Sequence, residues 1–510
     1  MPYASSLYAA LPPLPTAEVS SLGLGSIDLA IIAVYLAATV VWGAWPRKAA
    51  TTDEGYLLGG RDLAWPVLLL SIVATETSTV TFLSLPGQAF NEGGNLNFLQ
   101  ITLGYIVGRF AVIGFLMPEY FRGKAFTAYE LLEDRFGPGV RQASSVLFLV
   151  CRTFADGLRL FLTGLALQQA LGWDLPTCVA AITAATALYA TLGGVSSVVW
   201  NDALQLVIYT GGALIAAWLI IGAVPGGVDE ILAFGRDTGR FDLFDMRLGL
   251  VGGGMTFWSG LIGGAFLSLA THGVDHLMVQ RYLCARSQRS AAIALGLSGP
   301  VVALQFLLFL LIGVGLAAFY ATVPDADLKG DQAFAAFLAG HTPSGLRGLL
   351  FAAVIAAAVS TLSSSLNASA GVAVKDLLQR LKVAQQRPVR MAQGATIVFA
   401  LLQAGVALGA YYANVASSVI SLVLAIAGFT TGVLVGLFAL GMLRGRCRPL
   451  TAAIALGVGV VAGTALFGWN ASVAADERVH WTWNALVASS TTLAAGLAAD
   501  RFLTVEQAKQ

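Results

Sequence analysis

The segment "IVATETSTVTFLSLPG" (residues 72–87) lies in an apolar stretch of membrane-spanning length, yet it carries an acid and several hydroxyls at its middle. A charged side chain at mid-membrane is costly, so it faces a cavity or a partner. The β-branched run between Thr75 and Thr81 forms helix poorly, and its hydroxyls can replace lost backbone hydrogen bonds. We therefore predict a membrane helix broken near Glu76, with backbone carbonyls and this carboxylate turned toward a cation. The alternative is a protonated Glu76 that hydrogen-bonds to a neighbouring helix.

The composition is that of an integral membrane protein. Of the 510 residues, 57% are hydrophobic and 11% are charged, and the mean hydropathy is +0.77. Soluble domains contain about 25% charged residues, whereas here runs of about 20 apolar residues, each able to cross a bilayer, recur along the whole chain. The net charge of +1 argues against a nucleic-acid partner, and the four scattered cysteines predict neither a disulfide framework nor a zinc site.

About thirteen membrane spans are predicted, numbered in chain order. They lie near residues 27–45, 63–90, 96–120, 142–171, 175–193, 197–222, 250–283, 290–321, 346–376, 390–412, 416–443, 450–469 and 482–500. The predicted organisation is a disordered outer tail (1–26), an additional span with its loop (27–60), a first repeat of spans 2–6 (61–222), an outer loop (223–249), a second repeat of spans 7–11 (250–443), and two further spans with a short tail (444–510).

Lysine and arginine predict the orientation. Of 29 such residues, 20 fall in alternate loops and the C-terminal tail, Arg281 among them, six fall in the opposite segments, and Arg109, Arg152 and Arg159 fall within spans. Because cytoplasmic loops are enriched in Lys and Arg, we predict an N-terminus outside the cell and a C-terminus in the cytoplasm, in the inner (plasma) membrane.

The second and seventh spans share an unusual feature, since both are long and polar in mid-course. The second carries "ATETST" (74–79) and the seventh carries "ATHGVD" (270–275). Matching interrupted segments in two halves are typical of transporters with inverted repeats. Five spans per repeat make the two repeats run through the membrane in opposite directions.

The ninth span contains a band of hydroxyls in "AAAVSTLSSSLNASAG" (356–371). Ser360, Thr361, Ser363 and Ser364 lie on about one turn of helix. Hydroxyl and carbonyl oxygens are hard ligands that suit a cation such as Na⁺. The alternative is tight helix–helix packing, for which small residues are common, but together with a broken helix at Glu76 the pattern favours an ion site.

Other polar residues within the spans allow two interpretations each. Asp202, near the start of the sixth span, is either a site carboxylate or one favoured by the helix dipole. Arg152, Asp156 and Arg159 share one helix face, where they neutralise each other, unless Arg159 meets an anionic group. His272 is either a packing residue or a ligand. The sequence has no G-x-S-x-G, H-E-x-x-H or P-loop motif, so we do not expect an enzyme.

Five motifs, in this order, resemble the sodium:solute symporter family, which includes the bacterial sodium/proline and sodium/galactose carriers. They are "GGRDLAWP" (59–66), "ATETSTVTFLSLPG" (74–87), "GGVSSVVWNDALQ" (193–205), "HGVDHLMVQRYLCAR" (272–286) and "AAAVSTLSSSLNASA" (356–370). The resemblance implies an all-α, LeuT-like five-plus-five inverted-repeat fold with one additional span before the core and two after it.

The resemblance also implies ion ligands. By position, the main sodium site of the family would use the carbonyls of Ala74, Thr77 and Ala357 and the hydroxyls of Ser360 and Thr361. Some members hold a second sodium ion on residues that match Asp202, Ser360, Ser363 and Ser364, all of which are present. At the position of Glu76, the proline carrier has an acid that matters for sodium binding. The Glu76 side chain is one methylene longer than that acid.

The solute pocket departs from that of the well-known members. Val80 stands where the proline carrier has tryptophan, and Thr81 and Gln100 stand where the galactose carriers have glutamine and glutamate. Sugar and proline are therefore both disfavoured. The residues expected to line the pocket are Thr79, Val80, Thr81, Gln100, Ser268 and His272, with Arg159 or a protonated His272 suited to a carboxylate.

The predicted function is Na⁺-coupled symport of a small polar solute into the cell by alternating access. One or two sodium ions would serve as coupling ions, and the carrier would be a monomer or homodimer in the lipid bilayer. Two alternatives stay open: a proton-coupled symporter that uses Glu76 or His272, and a substrate sensor without transport. Proton coupling would leave the hydroxyl band of the ninth span unexplained.

Overall fold

The computed structural model describes residues 24–44, 52–123, 125–252, 254–323, 328, 330–379, 381–413, 419–474 and 476–509, and regular structure within these ranges is helical. The α-helices are α1 (Ser26–Ala44), α2 (Asp53–Leu58), α3 (Trp65–Glu76), α4 (Leu85–Phe90), α5 (Ile101–Ala111), α6 (Met117–Arg122), α7 (Glu130–Phe136), α8 (Pro138–Leu171), α9 (Leu175–Ala223), α10 (Gly227–Asp237), α11 (Gly264–Gly273), α12 (His276–Leu283), α13 (Gln288–Tyr320), α14 (Gly330–Gly340), α15 (Leu346–Val372), α16 (Lys382–Gln386), α17 (Pro388–Tyr412), α18 (Val419–Arg444), α19 (Pro449–Ser472) and α20 (Asn484–Lys509). Four turns of π-helix adjoin these helices, at Val80–Ser84, Val112–Leu116, Ser259–Gly263 and Ala373–Leu377, and short 3-10 turns occur at Gly59–Arg61, Asn97–Gln100 and Trp481–Trp483.

These helices follow the predicted spans in order. Among the described residues, eight helices are long and apolar enough to cross a membrane, and a bent pair makes a ninth. The other predicted spans fall on α8, on the second half of α9, on the interrupted pair α11–α12 and on α20. Most of the predicted disordered tail, residues 1–23, lies outside the described residues.

The second span is broken where its hydroxyls cluster. Helix α3 ends at Glu76, Thr77 adopts an extended backbone (φ −84°, ψ 94°), and the helix resumes at Val80. The two halves, Trp65–Glu76 and Val80–Phe90, meet at a bend of 62°. A polar backbone break inside a membrane is tolerated only where it is buried in protein or lines a cavity, and Thr75, Thr77 and Ser78 are buried.

The seventh span is broken in the matching place. Helix α11 ends at Gly273, and Asp275 begins α12 as its N-cap, with its carboxylate accepting the Leu277 amide at 2.9 Å. The two interruptions predicted from the sequence are therefore present, one in each half of the chain.

The fifth and sixth spans form one long helix, α9, which changes direction at Gly194 without an intervening loop. Gly194 has φ 62° and ψ −174°, a conformation open to glycine but not to other residues. A Cβ atom at this position would lie 2.8 Å from the carbonyl oxygen of Tyr56. The kink and the close approach of α2 therefore both require glycine.

The third and seventh spans approach each other through glycines. Cβ atoms added at Gly104 and Gly108 would lie 2.4 and 2.5 Å from the carbonyl oxygens of Gly260 and Ala265. Such small-residue contacts let membrane helices pack backbone to backbone. This packing sets the third span beside both helix breaks.

An outer-loop residue secures the end of the second span. Arg240 donates from Nη1 to the carbonyls of Phe90 (3.0 Å) and Asn91 (2.9 Å), and also to that of Ala89. The guanidinium thus satisfies the carbonyls that the end of α4 leaves without intrahelical partners.

Candidate ion and solute site

The hydroxyl band of α15 meets the end of α3. Ser360 Oγ donates to the carbonyls of Ala74 and Ala357, each at 3.1 Å, and Thr361 Oγ1 donates to the carbonyl of Thr75 at 3.2 Å. These groups are buried. They form a set of neutral hard oxygens from the two halves of the chain, as a sodium site requires.

Thr77 is the remaining residue of the predicted sodium site. Its hydroxyl donates to Gln305 Oε1 on α13 at 2.6 Å. The carbonyl of Thr75, which the sequence did not single out, is the one that faces Thr361. The register of a broken helix decides which carbonyls are free, and that register is not legible in the sequence.

The second predicted sodium set already holds a positive group. Asp202 Oδ2 accepts hydrogen bonds from Ser71 (2.8 Å), Ser364 (3.0 Å) and Arg281 Nη2 (3.1 Å). Arg281 also donates to Ser364 Oγ. The Ser360 hydroxyl instead donates to the carbonyls of Ala74 and Ala357, and Ser363 donates to the carbonyl of Ser360 at 3.2 Å.

The charge-based prediction of orientation counts Arg281 with the inner loops, and the structure corrects this placement. Arg281 lies in α12, within the seventh span, and its side chain is 1% exposed. Asp202 lies eight residues beyond the kink at Gly194, inside α9. The helix-dipole interpretation of Asp202 does not fit, because that effect is confined to the first turn of a helix.

Glu76 is paired with a residue that the sequence analysis left without a role. Arg109, on α5, donates from Nη2 to Glu76 Oε2 and from Nε to Ser298 Oγ at 3.0 Å. His272 Nε2 lies 3.5 Å from the same Glu76 oxygen, and its Nδ1 lies 3.2 Å from the Tyr282 hydroxyl. Glu76 therefore faces a guanidinium and an imidazole. The arginine within the third span could have predicted this pair, since a charged side chain inside the membrane usually pairs with an opposite charge or another polar group.

The charges of α8 form one network with the break of the seventh span. Arg152 holds both oxygens of Asp156, at 2.7 and 3.1 Å, and reaches Asp275 Oδ2 at 3.0 Å. Arg159 donates from Nη1 to Asp156. Mutual neutralisation along this face was expected, and Asp275 is an additional member. The Nε atom of Arg159 is buried and has no hydrogen-bond partner among the described residues.

A cavity of ≈ 100 Å³ lies beside both breaks. Its polar and charged lining consists of Thr75, Glu76, Ser78, Thr81, Arg152, Arg159, Thr271, His272 and Asp275. Its apolar and aromatic lining consists of Val80, Leu85, Phe98, Tyr105, Leu267, Leu277, Met278, Phe306, Val423, Leu424 and Ala427. The cavity is thus polar around the breaks, and a wall of hydrocarbon and aromatic rings completes it.

The structure brings only part of the predicted solute set to this cavity. Val80, Thr81, His272 and Arg159 line it. Thr79, Gln100 and Ser268 are not among its lining residues. Their polar atoms bond elsewhere: Thr79 to Thr163 Oγ1 (2.8 Å), Gln100 to the carbonyl of Asn97 (3.1 Å), and Ser268 to the carbonyl of Tyr105 (3.0 Å). The aromatic lining was not predicted, since nothing in the sequence marks which aromatic residues face a cavity.

The profile described as the sodium:solute symporter family matches residues 56–459. The chain belongs to this family. Human "Sodium-coupled monocarboxylate transporter 1" is 30% identical over 449 residues, which cover 86% of this chain and 71% of that protein. The human "Sodium/iodide cotransporter" is 28% identical over 468 residues, covering 88% and 70%.

Solved structures agree with this membership. A substrate-bound, outward-open Na⁺-coupled sialic acid symporter aligns with a TM-score of 0.83 and 25% identity, covering 94% of this chain and 98% of that one. A nucleobase-cation-symport-1 family transporter shares the fold alone, with a TM-score of 0.57 and 14% identity over 88% and 95% of the two chains.

This sodium:solute symporter family member therefore performs Na⁺-coupled symport of a small-molecule solute. It is a multi-pass protein of the plasma membrane with the LeuT-like fold, and Na⁺ is its coupling ion. The family and the fold class predicted from the five motifs are both confirmed.

Proposed function

We propose that this symporter carries a small monocarboxylate into the cell, together with one sodium ion held by Ala74, Thr75, Ala357, Ser360 and Thr361. The observation that carries the proposal is the position of Arg159. Its side chain lines the cavity and is 14% exposed, so its guanidinium can meet a bound solute. A carboxylate at that position would form charge-assisted hydrogen bonds with it.

The shape of the cavity supports an acid with a short hydrocarbon chain. Arg159 and Thr271 belong to its polar lining, and Phe98, Tyr105 and Phe306 belong to its aromatic lining. Mostly apolar walls with a few placed polar groups are typical of small-molecule sites. The similarity to a monocarboxylate transporter and to an iodide cotransporter points the same way, because both of those solutes are monovalent anions.

Sodium drives the cycle by joining the two halves of the molecule. When the ion bridges α3 and α15, it stabilises the form whose cavity accepts the solute. Reciprocal linkage of about 1–3 kcal/mol between the ion and the solute is enough for coupling. In the second set, Arg281 supplies the positive charge beside Asp202, so one sodium ion per solute is the stoichiometry that we propose.

The proposed orientation has the N-terminus outside and the C-terminus in the cytoplasm, because removing Arg281 from the inner-loop set leaves the excess of Lys and Arg in that set intact.

The proposed inverted repeats over 61–222 and 250–443 each contain one helix break. No assembly of chains is needed for the site, since all its residues come from one chain.

Uptake into proteoliposomes tests the solute class. Radiolabelled propionate should enter under an inward Na⁺ gradient and not under a choline gradient, and unlabelled lactate and iodide should compete while glucose and proline do not. Stimulation by a proton gradient at constant Na⁺ would instead favour the proton-coupled alternative. Sodium-dependent binding without counterflow would favour a sensor.

The variant Arg159→Gln tests the proposed contact. Its KM for propionate should rise about tenfold or more, because a hydrogen bond between charged groups contributes about 1.5–3 kcal/mol. Arg247→Gln is the matched control, since Arg247 lies in the outer loop with an 81% exposed side chain. An unchanged KM in folded Arg159→Gln protein would refute the contact.

A further inference from the structure

We infer that Arg109 is a specificity-determining residue: by neutralising Glu76, it makes a monovalent anion the counter-charge that bound sodium requires. This inference deepens the proposed function and rests on it for the identity of the anion. Arg109 does not line the cavity, so it acts through Glu76 and not by touching the solute.

Arg109 is held in place from several sides. Its side chain is 1% exposed, it donates to Glu76 and Ser298, and its guanidinium lies 5.5 Å from the centre of the Tyr105 ring. Glu76 and Tyr105 both line the cavity, with Arg109 behind them. Glu76 is 14% exposed, so a solute in the cavity meets this carboxylate, and the buried guanidinium of Arg109 cancels its charge.

The position of Glu76 gives the pair its effect on sodium. Glu76 directly follows Ala74 and Thr75, whose carbonyls belong to the sodium set. If it were unpaired, its negative charge would strengthen sodium binding and repel an anion. Both effects would be large, because charges interact strongly in a poorly solvated interior.

The charges of the described residues around the two breaks balance. Each acid pairs with an arginine, and the acids and arginines are equal in number. The acids are Glu76, Asp156, Asp202 and Asp275, and the bases are Arg109, Arg152, Arg159 and Arg281. With His272 neutral, the set sums to zero, and the sodium oxygens are neutral as well. A sodium ion therefore brings an uncompensated positive charge, which a monoanion in the adjacent cavity cancels.

Sodium affinity measured without any solute tests the inference independently of the anion's identity. Purified protein is titrated with NaCl against choline chloride at about pH 8, where a histidine of ordinary pKa is neutral, with tryptophan fluorescence as the readout. The variants are Arg109→Gln, Arg109→Lys, Glu76→Gln, and the double variant Glu76→Gln/Arg109→Gln. Arg122→Gln, with a 71% exposed side chain beyond the same span, is the control.

Arg109→Gln should bind Na⁺ about tenfold more tightly, because it leaves one negative charge uncompensated beside the sodium oxygens. Glu76→Gln should shift the affinity in the opposite direction. The double variant and Arg109→Lys should bind Na⁺ as the wild type does, since both keep the charge balanced. A merely structural role would impair the double variant at least as much as the single one, and that result, or an unchanged affinity in Arg109→Gln, would overturn the inference.

Adding propionate then separates the inference from the proposed function. Propionate should raise the sodium affinity of the wild type and of the double variant but not that of Arg109→Gln. If propionate has no effect on the wild type while the sodium affinities follow the expected order, the monocarboxylate proposal fails and the role of Arg109 stands. If Arg109→Gln does not fold, the comparison of Glu76→Gln with the double variant decides the same question.

Discussion

At the scale of single residues, two hydroxyls define the proposed ion site. Ser360 and Thr361 each bridge from α15 to a carbonyl at the end of α3, at 3.1 and 3.2 Å. Bound sodium would replace these hydrogen bonds with direct coordination, because hydroxyl and carbonyl oxygens are its preferred ligands. From Leu350 to Val372, α15 is buried throughout, so the direction of the hydroxyls distinguishes the site residues from their neighbours.

Removal of either hydroxyl should weaken sodium binding without unfolding the protein. For Ser360→Ala and Thr361→Ala, the sodium concentration for half-maximal uptake should rise about tenfold or more, equivalent to at least about 1.4 kcal/mol of binding free energy. Ser369→Ala is the matched control, since Ser369 is buried on the same helix and its hydroxyl has no hydrogen-bond partner. Unchanged sodium dependence in the reconstituted double variant would remove the site assignment.

At the scale of helices, breaks and kinks position the site. The backbone must leave the helical path near Thr77 and near Val274 to expose carbonyls and a capping carboxylate. In α9 the change of direction instead occurs at Gly194, and it brings Asp202 to the second set. Each deviation has a local chemical cause: hydroxyl-rich sequence, an aspartate cap, or glycine.

Gly194→Ala should destabilise the protein. The positive φ strains any other residue by about 1–3 kcal/mol, and the new Cβ would lie 2.8 Å from the Tyr56 carbonyl. A fall in the melting temperature of the purified variant measures the effect. Gly211→Ala on the same helix is the control, because nothing lies within 4 Å of its added Cβ. Equal melting temperatures for the two variants would contradict this account of the kink.

At the scale of the whole molecule, charge balance links the ion to the solute. The interior carries paired charges, the neutral oxygens of the proposed sodium set, and a second set in which Arg281 donates to Asp202. Moving a net charge through the membrane field is worth about 2.3 kcal/mol per 100 mV. One Na⁺ with one monoanion carries no net charge.

Transport should accordingly be electroneutral. An inside-negative potassium diffusion potential, set with valinomycin, should leave the initial rate of Na⁺-driven propionate uptake unchanged. The same vesicles containing an electrogenic carrier serve as the control for the potential. Marked stimulation by the potential would show that more than one sodium ion enters per solute, and would return the Asp202 set to the role of a second sodium site.

Local composition was enough to predict several features of the protein. Apolar runs predicted about thirteen spans, and the hydroxyl-rich segments predicted the break near Glu76 and the band at Ser360–Ser364. Helix propensity, turn chemistry and the need to bury apolar surface act over a few residues, so they are legible in the chain.

Only the tertiary structure decided which charges are partners and which side chains face the cavity. Glu76 meets Arg109, and Asp202 meets Arg281, across helices that are distant in the sequence. Thr79, Gln100 and Ser268 were equally polar candidates, but packing turned them toward other neighbours. The physical reason is that helix rotation and register arise from the packing of all the helices together, and a rotation by one residue exchanges a cavity-facing group for a buried one.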